Sequence, residues 1–246
     1  EIESELKSSE FFIKSIDTKP QSSSPNPPFR TSTLQMTASS FLGFTADRTM
    51  RAAQNLYEAG LITYLRTDGI NISTSPNTGE PFSEENPGPP PLQEIRNVIV
   101  EKFGDKFLSD QVRVYKSKVK NSQEAHEAIR PTNIKTYPEN INLGQDEQKL
   151  YTLIWNRTLS SQMSNSQHER KKIVVCSKDD KFVFNASSRK TLFEGFETLS
   201  KKDSSEIIEF PENLKENENV SLAEFISEQK FTSPPNRYSE ASLIKK

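Results

Sequence analysis

Apolar side chains recur at two spacings along this chain, and the spacings assign its elements. Phe11, Ile13 and Ser15 alternate with Phe12, Lys14 and Ile16, the period of two that predicts a strand. From Thr31 the period lengthens. Leu34, Ala38, Phe41 and Leu42 stand at i, i+4, i+7 and i+8, an amphipathic helix that Thr31 or Ser32 can cap and Gly43 can end. Thr45 then caps a second predicted helix, with Met50, Ala53, Leu56 and Tyr57 on one side and Gly60 as its stop. The short break between them has the length of a helix-turn-helix. Such a unit reads equally as a nucleic-acid reader or as a plain packed helix pair. Alternation resumes over Leu61–Arg66, predicting a strand with Ile62, Tyr64 and Arg66 on one face.

Asn121 with Glu124 matches a capping box, and Pro131 would end the helix so begun. A third long helix is predicted over 145–163, with Leu150, Leu153, Ile154, Trp155, Leu159 and Met163 as its core stripe. Residues 172–176 and 182–184 flank the polar turn 178–181 and predict a β-hairpin. Further strands are expected near 192–199, 206–210 and 219–226. The ends are thus strand-rich and the middle helical, so a strand before the helical block, paired with strands after it, would make that block an insertion. Two Pro/Ser-rich stretches, 20–28 and 73–91, divide the chain. The second reads as a solvated excursion.

Composition narrows the classes. Only 32% of the 246 residues are hydrophobic, below the usual 45–50%, and no apolar run is long enough to span a membrane. The polar first residues exclude a signal peptide, and Glu1 in place of Met suggests an excised piece. The lone Cys176 forbids an internal disulfide and fits a reducing compartment. A net charge of −2 supplies no overall field for nucleic acid. Within it, residues 203–230 carry eight acids against Lys215 and Lys230, as solvated loops and strand edges do.

Two constellations could carry chemistry. On a regular strand Tyr64 and Arg66 would share a face about 7 Å apart. A phenol is a weak nucleophile at its free pKa of about 10, but a neighbouring guanidinium can grip a phosphate bidentately and favour phenolate. The plainer reading is a half-buried tyrosine beside a surface arginine. In the second constellation His126 and Arg130 stand at i, i+4, on one face of the predicted helix, where they could hold a phosphate. Position 130 is Arg where zinc hydrolases of the HExxH type need a second His. A Glu–Arg pair on a surface helix explains the same spacing.

The run PPFRTSTLQMTASSFLGFTADRTMRAAQNLYEAGLITYLRTD (27–68) closely resembles the tyrosine-bearing segment of type IA DNA topoisomerases. SQEAHEAIRPT (122–132) resembles that family's second active-site motif. KLYTLIWNRTLSSQM (149–163) and FTSPPNRYSEASLIKK (231–246) continue the match in order. The resemblance implies that Tyr64 attacks a backbone phosphate of single-stranded DNA, leaving a 5′-phosphotyrosine and a free 3′-OH, and so relaxes negatively supercoiled DNA. It implies that Arg66 positions the scissile phosphate, that His126 belongs to the active-site hydrogen-bond network, and that Glu58 is a carboxylate near the tyrosine. Arg130, Arg30, Arg48, Arg51 and Arg237 are implied as DNA contacts.

The fold so implied is mixed α and β: a helix-turn-helix-like domain bearing the tyrosine, inserted in the β-rich arch of the family's torus. Its first strand would occupy 1–26, the tyrosine domain 27–165, the rest of the arch 166–230, and the start of the next DNA-binding helical domain 231–246. The partner is DNA, with no membrane, in a monomeric, intracellular, DNA-associated enzyme. Magnesium is expected for the full-length enzyme with its ligands outside this chain and none within it, so the chain alone is expected not to complete cleavage and religation. Gly69 stands where bacterial members usually have Ser. The alternative function is a non-catalytic helix-turn-helix DNA-binding module.

Overall fold

The computed structural model describes every residue except 1, 73–89, 117–126, 201–209, 225, 227, 236 and 246. The capping-box helix start at 121–124, most of the Pro-rich stretch 73–91 and most of the strand expected at 206–210 lie outside the described residues. In chain order the elements are α1 (Ile2–Ser8), β1 (Phe11–Ser23), α2 (Thr31–Leu42), α3 (Ala46–Glu58), α4 (Pro91–Phe103), α5 (Gln145–Ser160), β2 (Ser166–Ser177), β3 (Val183–Phe193), β4 (Asn219–Val220) and α6 (Glu240–Lys245). The protein is thus mixed α and β. Two compact units divide it. One comprises Glu1–Ser23, Ser166–Glu194 and Lys201–Pro235; the other comprises Ser24–Asn165, Gly195–Ser200 and Asn236–Lys246.

The first unit is an antiparallel sheet in the order β3-β2-β1-β4. β1 pairs with β2 along its whole length, so residues 24–165 leave and re-enter between two adjacent strands. β1 runs past the stretch read as a divider. Pro20 lies within it, opposite Glu169, which a residue lacking N–H tolerates because β4 covers only Phe11 and Phe12 on the other edge. The predicted hairpin forms with longer arms, turning at Lys178–Phe182 through Asp180 at φ 55°. The strand expected at 192–199 stops at Phe193, and Gly195–Leu199 form a short 3-10 helix instead. Among the described residues of 219–226 only Asn219–Val220 pair.

The second unit is built on α2, α3, α4 and α5 around one core that includes Phe29, Leu34, Leu56, Ile95, Ile99, Leu150 and Ile154. Each such side chain removed from water stabilises by about 1.5–3 kcal/mol. α2 ends at Gly43 in the left-handed conformation, φ 67°, and the Thr45 hydroxyl caps α3 by accepting from Arg48 N at 3.2 Å. The stripes differ in detail from the expected ones. Phe41 is 71% exposed and Tyr57 40%, while Thr49 and Ala52 face the core. α4 begins on Pro91 and buries Leu92, Ile95, Val98 and Ile99, a stripe that the 73–91 punctuation overshadows in the sequence. α6 packs on α2.

Two expectations around the motifs fail. Residues 61–66 are not a regular strand; Ile62 makes a single bridge to Pro131. Ile62 and Leu65 are each 1% exposed while Tyr64 is 52% exposed, so Ile62 and Tyr64 do not share a face. Residues 127–131 are extended rather than helical, with Ile129 bridged to Phe29. The reason is tertiary: their backbone groups find partners in residues 29, 63, 67 and 71 in place of an i−4 ladder.

Candidate active site around Tyr64

Gly60, at φ 71°, ends α3 and turns the chain into the loop that carries Tyr64. Threonines hold that loop on both sides. Thr63 N donates to Arg130 O at 2.9 Å, Thr63 Oγ1 donates to Ala128 O at 2.8 Å and accepts from Arg130 N at 3.0 Å. Thr132 N donates to Leu61 O at 3.0 Å and Thr132 Oγ1 to Gly60 O at 2.6 Å. Past the tyrosine, the Thr31 hydroxyl lies 2.7 Å from Leu65 O and 3.0 Å from Thr67 O, and accepts from Thr67 N at 2.9 Å. Thr67 Oγ1 donates to Glu127 O at 2.9 Å and accepts from Gly69 N at 3.0 Å.

With Ile62 and Leu65 buried and Thr63 and Thr67 bonded on either side, the backbone at Tyr64 and Arg66 is fixed. Their side chains stand in solvent. The Tyr64 ring meets Tyr57 edge to face, with centroids 5.6 Å apart at 68°, a geometry that favours one ring orientation. Tyr57 is the neighbour that the sequence pattern put in a core stripe; its position at the end of α3 is the signal that would have found it. Glu58 follows it, exposed, its carboxylate accepting from Gln54 Nε2 at 2.8 Å.

Arg130 is placed otherwise. It is 3% exposed, and its guanidinium bonds Glu127 through Nε at 2.6 Å and Nη2 at 3.1 Å. Nη1 donates to Pro131 O at 2.8 Å and, more weakly, to Thr132 O at 3.4 Å. It fastens the segment that fastens the tyrosine loop. His126 lies outside the described residues. Arg48 makes a two-pronged pair with Asp146, both contacts 2.6 Å, and stacks 4.3 Å over Phe44. That hydrogen-bonded pairing holds the Asp146 carboxyl below its usual range and the Arg48 guanidinium above its own. Arg51 pairs with Asp47 at 3.0 Å on the exposed side of α3. Arg30 is half-buried ahead of α2, its N–H donating to Thr33 Oγ1. Arg66 and Arg237 are exposed and bond no other described residue.

A loop held in this way shows a phenol and a guanidinium two residues apart, groups chemically able to attack and to grip a phosphodiester. The family model described as DNA topoisomerase matches residues 1–246, the whole chain. The chain belongs to the DNA topoisomerase family. The resemblance to its bacterial, type IA members is thereby borne out. DNA topoisomerase 1 of Rickettsia bellii is 42% identical over 98% of this chain and 30% of that protein. DNA topoisomerase 1 of Helicobacter pylori is 43% identical over all of this chain and 32% of its own length. Full-length topoisomerase I from Thermotoga maritima superposes with a TM-score of 0.78 at 34% identity, over 99% of this chain and 38% of that one. The chain therefore spans about a third of the length of the curated relatives it matches.

Proposed function

We propose that this chain carries the nucleophile of a type IA topoisomerase and that Tyr64 is that nucleophile. Tyr64 Oη attacks the phosphorus of a DNA backbone phosphate. The new P–Oη bond forms as the P–O3′ bond breaks, the phenol proton leaves, and the departing 3′ oxygen takes up a proton to become a free hydroxyl. One phosphoester replaces another, so the 3′-OH can return by the reverse steps and rejoin the strand without ATP. The observation that carries this reading is the exposure of Tyr64 and Arg66 on a loop whose flanking residues are buried and hydrogen-bonded.

Arg66, exposed and unbonded to other described residues, grips the non-bridging oxygens and stabilises the charge that builds on them. Glu58 supplies a carboxylate next to Tyr57, and His126 belongs to the same proton network. Arg30, Arg51 and Arg237 contact backbone phosphates, as does Arg48 once exchanged from Asp146. Arg130 serves the site from inside the protein. The substrate is single-stranded DNA in a negatively supercoiled molecule, handled by a monomeric enzyme. Magnesium is expected for the complete enzyme. No group of three or more His, Cys, Asp and Glu that could hold a metal ion occurs among the described residues, so these residues do not fit that ion and no step here runs through it.

The test is mass spectrometry of the whole encoded protein after reaction with a single-stranded oligonucleotide. A phosphodiester adduct on Tyr64, absent in Tyr64→Phe, is expected. DNA binding without any adduct would favour the non-catalytic helix-turn-helix module instead.

A further inference from the structure

One face of the sheet carries charges that its own strands do not explain. The register sets Lys19, Arg170 and Arg189 directly opposite one another across β1, β2 and β3. Lys172 follows two residues along β2 on the same face, beside Asp17 on one neighbour and Ser187 on the other. All four cations are exposed. Like charges directly opposite destabilise a sheet, so such a row stands only where something else favours it. Among the described residues, two contacts to the row stand out. Asp17 takes Lys19 at 2.6 Å, and Arg189 meets the ring of His168. The side chains of Arg170 and Lys172 bond no other described residue. Three described acids of the following segment go elsewhere: Glu212 to Lys190 on the opposite face, Glu216 to the Ile16 N–H and Glu218 to the Lys215 N–H.

We propose that this row is a further contact surface for DNA, one that binds the phosphates of a single strand on the sheet. Strands about 4.8 Å apart and side chains about 7 Å apart along β2 make a cationic strip about 10 Å across, the width of one nucleic-acid backbone. Gln21, Ser187 and Thr191 border it on the same face as uncharged hydrogen-bonding groups. The strip reads charge and spacing, with no pocket for a base. It takes a strand of any sequence, and its affinity falls with salt as bound cations are displaced. The choice of single-stranded DNA as the ligand rests on the function proposed above.

The experiment measures binding of fluorescein-labelled oligothymidylate by anisotropy across a salt series, using the whole encoded protein in a Tyr64→Phe background so that covalent capture plays no part. Lys19→Gln, Arg170→Gln and Lys172→Gln together are expected to weaken binding about tenfold and to reduce the slope of log K against log salt by about 2. Arg170→Lys should restore most of an Arg170→Gln loss. Because like charges are relieved, the triple variant should melt no lower than its parent. An unchanged affinity and slope would overturn the proposal. So would an equal loss on neutralising Lys7, Lys178 and Lys215, which are exposed and off the row, or a triple variant that melts lower, since the row would then be structural. A protein that binds through the row while Tyr64 forms no adduct would contradict the topoisomerase reading and leave the row standing.

Discussion

The loop at 60–69 and the segment at 127–132 are bonded to each other, yet they use their arginines in opposite ways. Arg66 stands in solvent with no described partner, while Arg130 is 3% exposed and spends its donors on Glu127 and two carbonyls. An arginine of these motifs need not face solvent. One presents a charge, and the other holds still the backbone that presents it.

That division of labour can be broken experimentally. The largest effect is expected from Tyr64→Phe, which should abolish the covalent adduct and leave the thermal midpoint where it was, since an exposed hydroxyl is removed. Arg130→Ala should do the reverse. It removes the buried guanidinium from the half-buried Glu127 carboxylate and from two carbonyls, costing about 3 kcal/mol, to be read from chemical denaturation, with DNA affinity reduced only as far as the protein unfolds. A loss of affinity in folded Arg130→Ala equal to that in Arg66→Ala would erase the distinction.

Thr67→Val sharpens it. The hydroxyl that ties Glu127 O and Gly69 N is lost at about 1–2 kcal/mol, and adduct yield should fall while oligonucleotide affinity holds. The smallest effect concerns Tyr115, bonded to Ser161 O at 2.8 Å, whose phenol is pushed up to about 12 by burial, offset in part by Arg113 and Arg157. Above about pH 10 the unfolded phenol is ionised and the folded one is not, so stability is intact below pH 10 and declines between pH 10 and 12. Tyr115→Phe should reduce that decline in denaturation curves taken across this range.

Much of the helical unit was legible in the sequence because its signals are local. Gly43 and Thr45 mark the break between α2 and α3, and the stripe from Leu150 to Leu159 marks α5. The hairpin of β2 and β3 announced itself by its turn, though the pattern set its arms too short. α4 escaped notice behind its prolines despite the spacing of Leu92, Ile95, Val98 and Ile99. Of the site, the motif residues Tyr64 and Arg66 could be named from sequence, but their setting could not. A regular strand would have put Tyr64 beside Ile62, and a helix would have put Arg130 on a surface. Both expectations assumed that a segment bonds with its own neighbours. Here residues 61–67 bond with 31 and 127–132 instead, partners 34 to 71 positions away.

By itself, then, the sequence determined α2, α3 and α5 with the glycine stops after α2 and α3, the hairpin, and the phenol and guanidinium two residues apart that mark the family. The tertiary structure alone decided which arginine is buried, that Tyr57 supports Tyr64, and that Lys19, Arg170 and Arg189 line up across three strands. Caps, turns and periodicity are properties of a few consecutive residues. Burial, register and long-range hydrogen bonds exist only once distant segments have met.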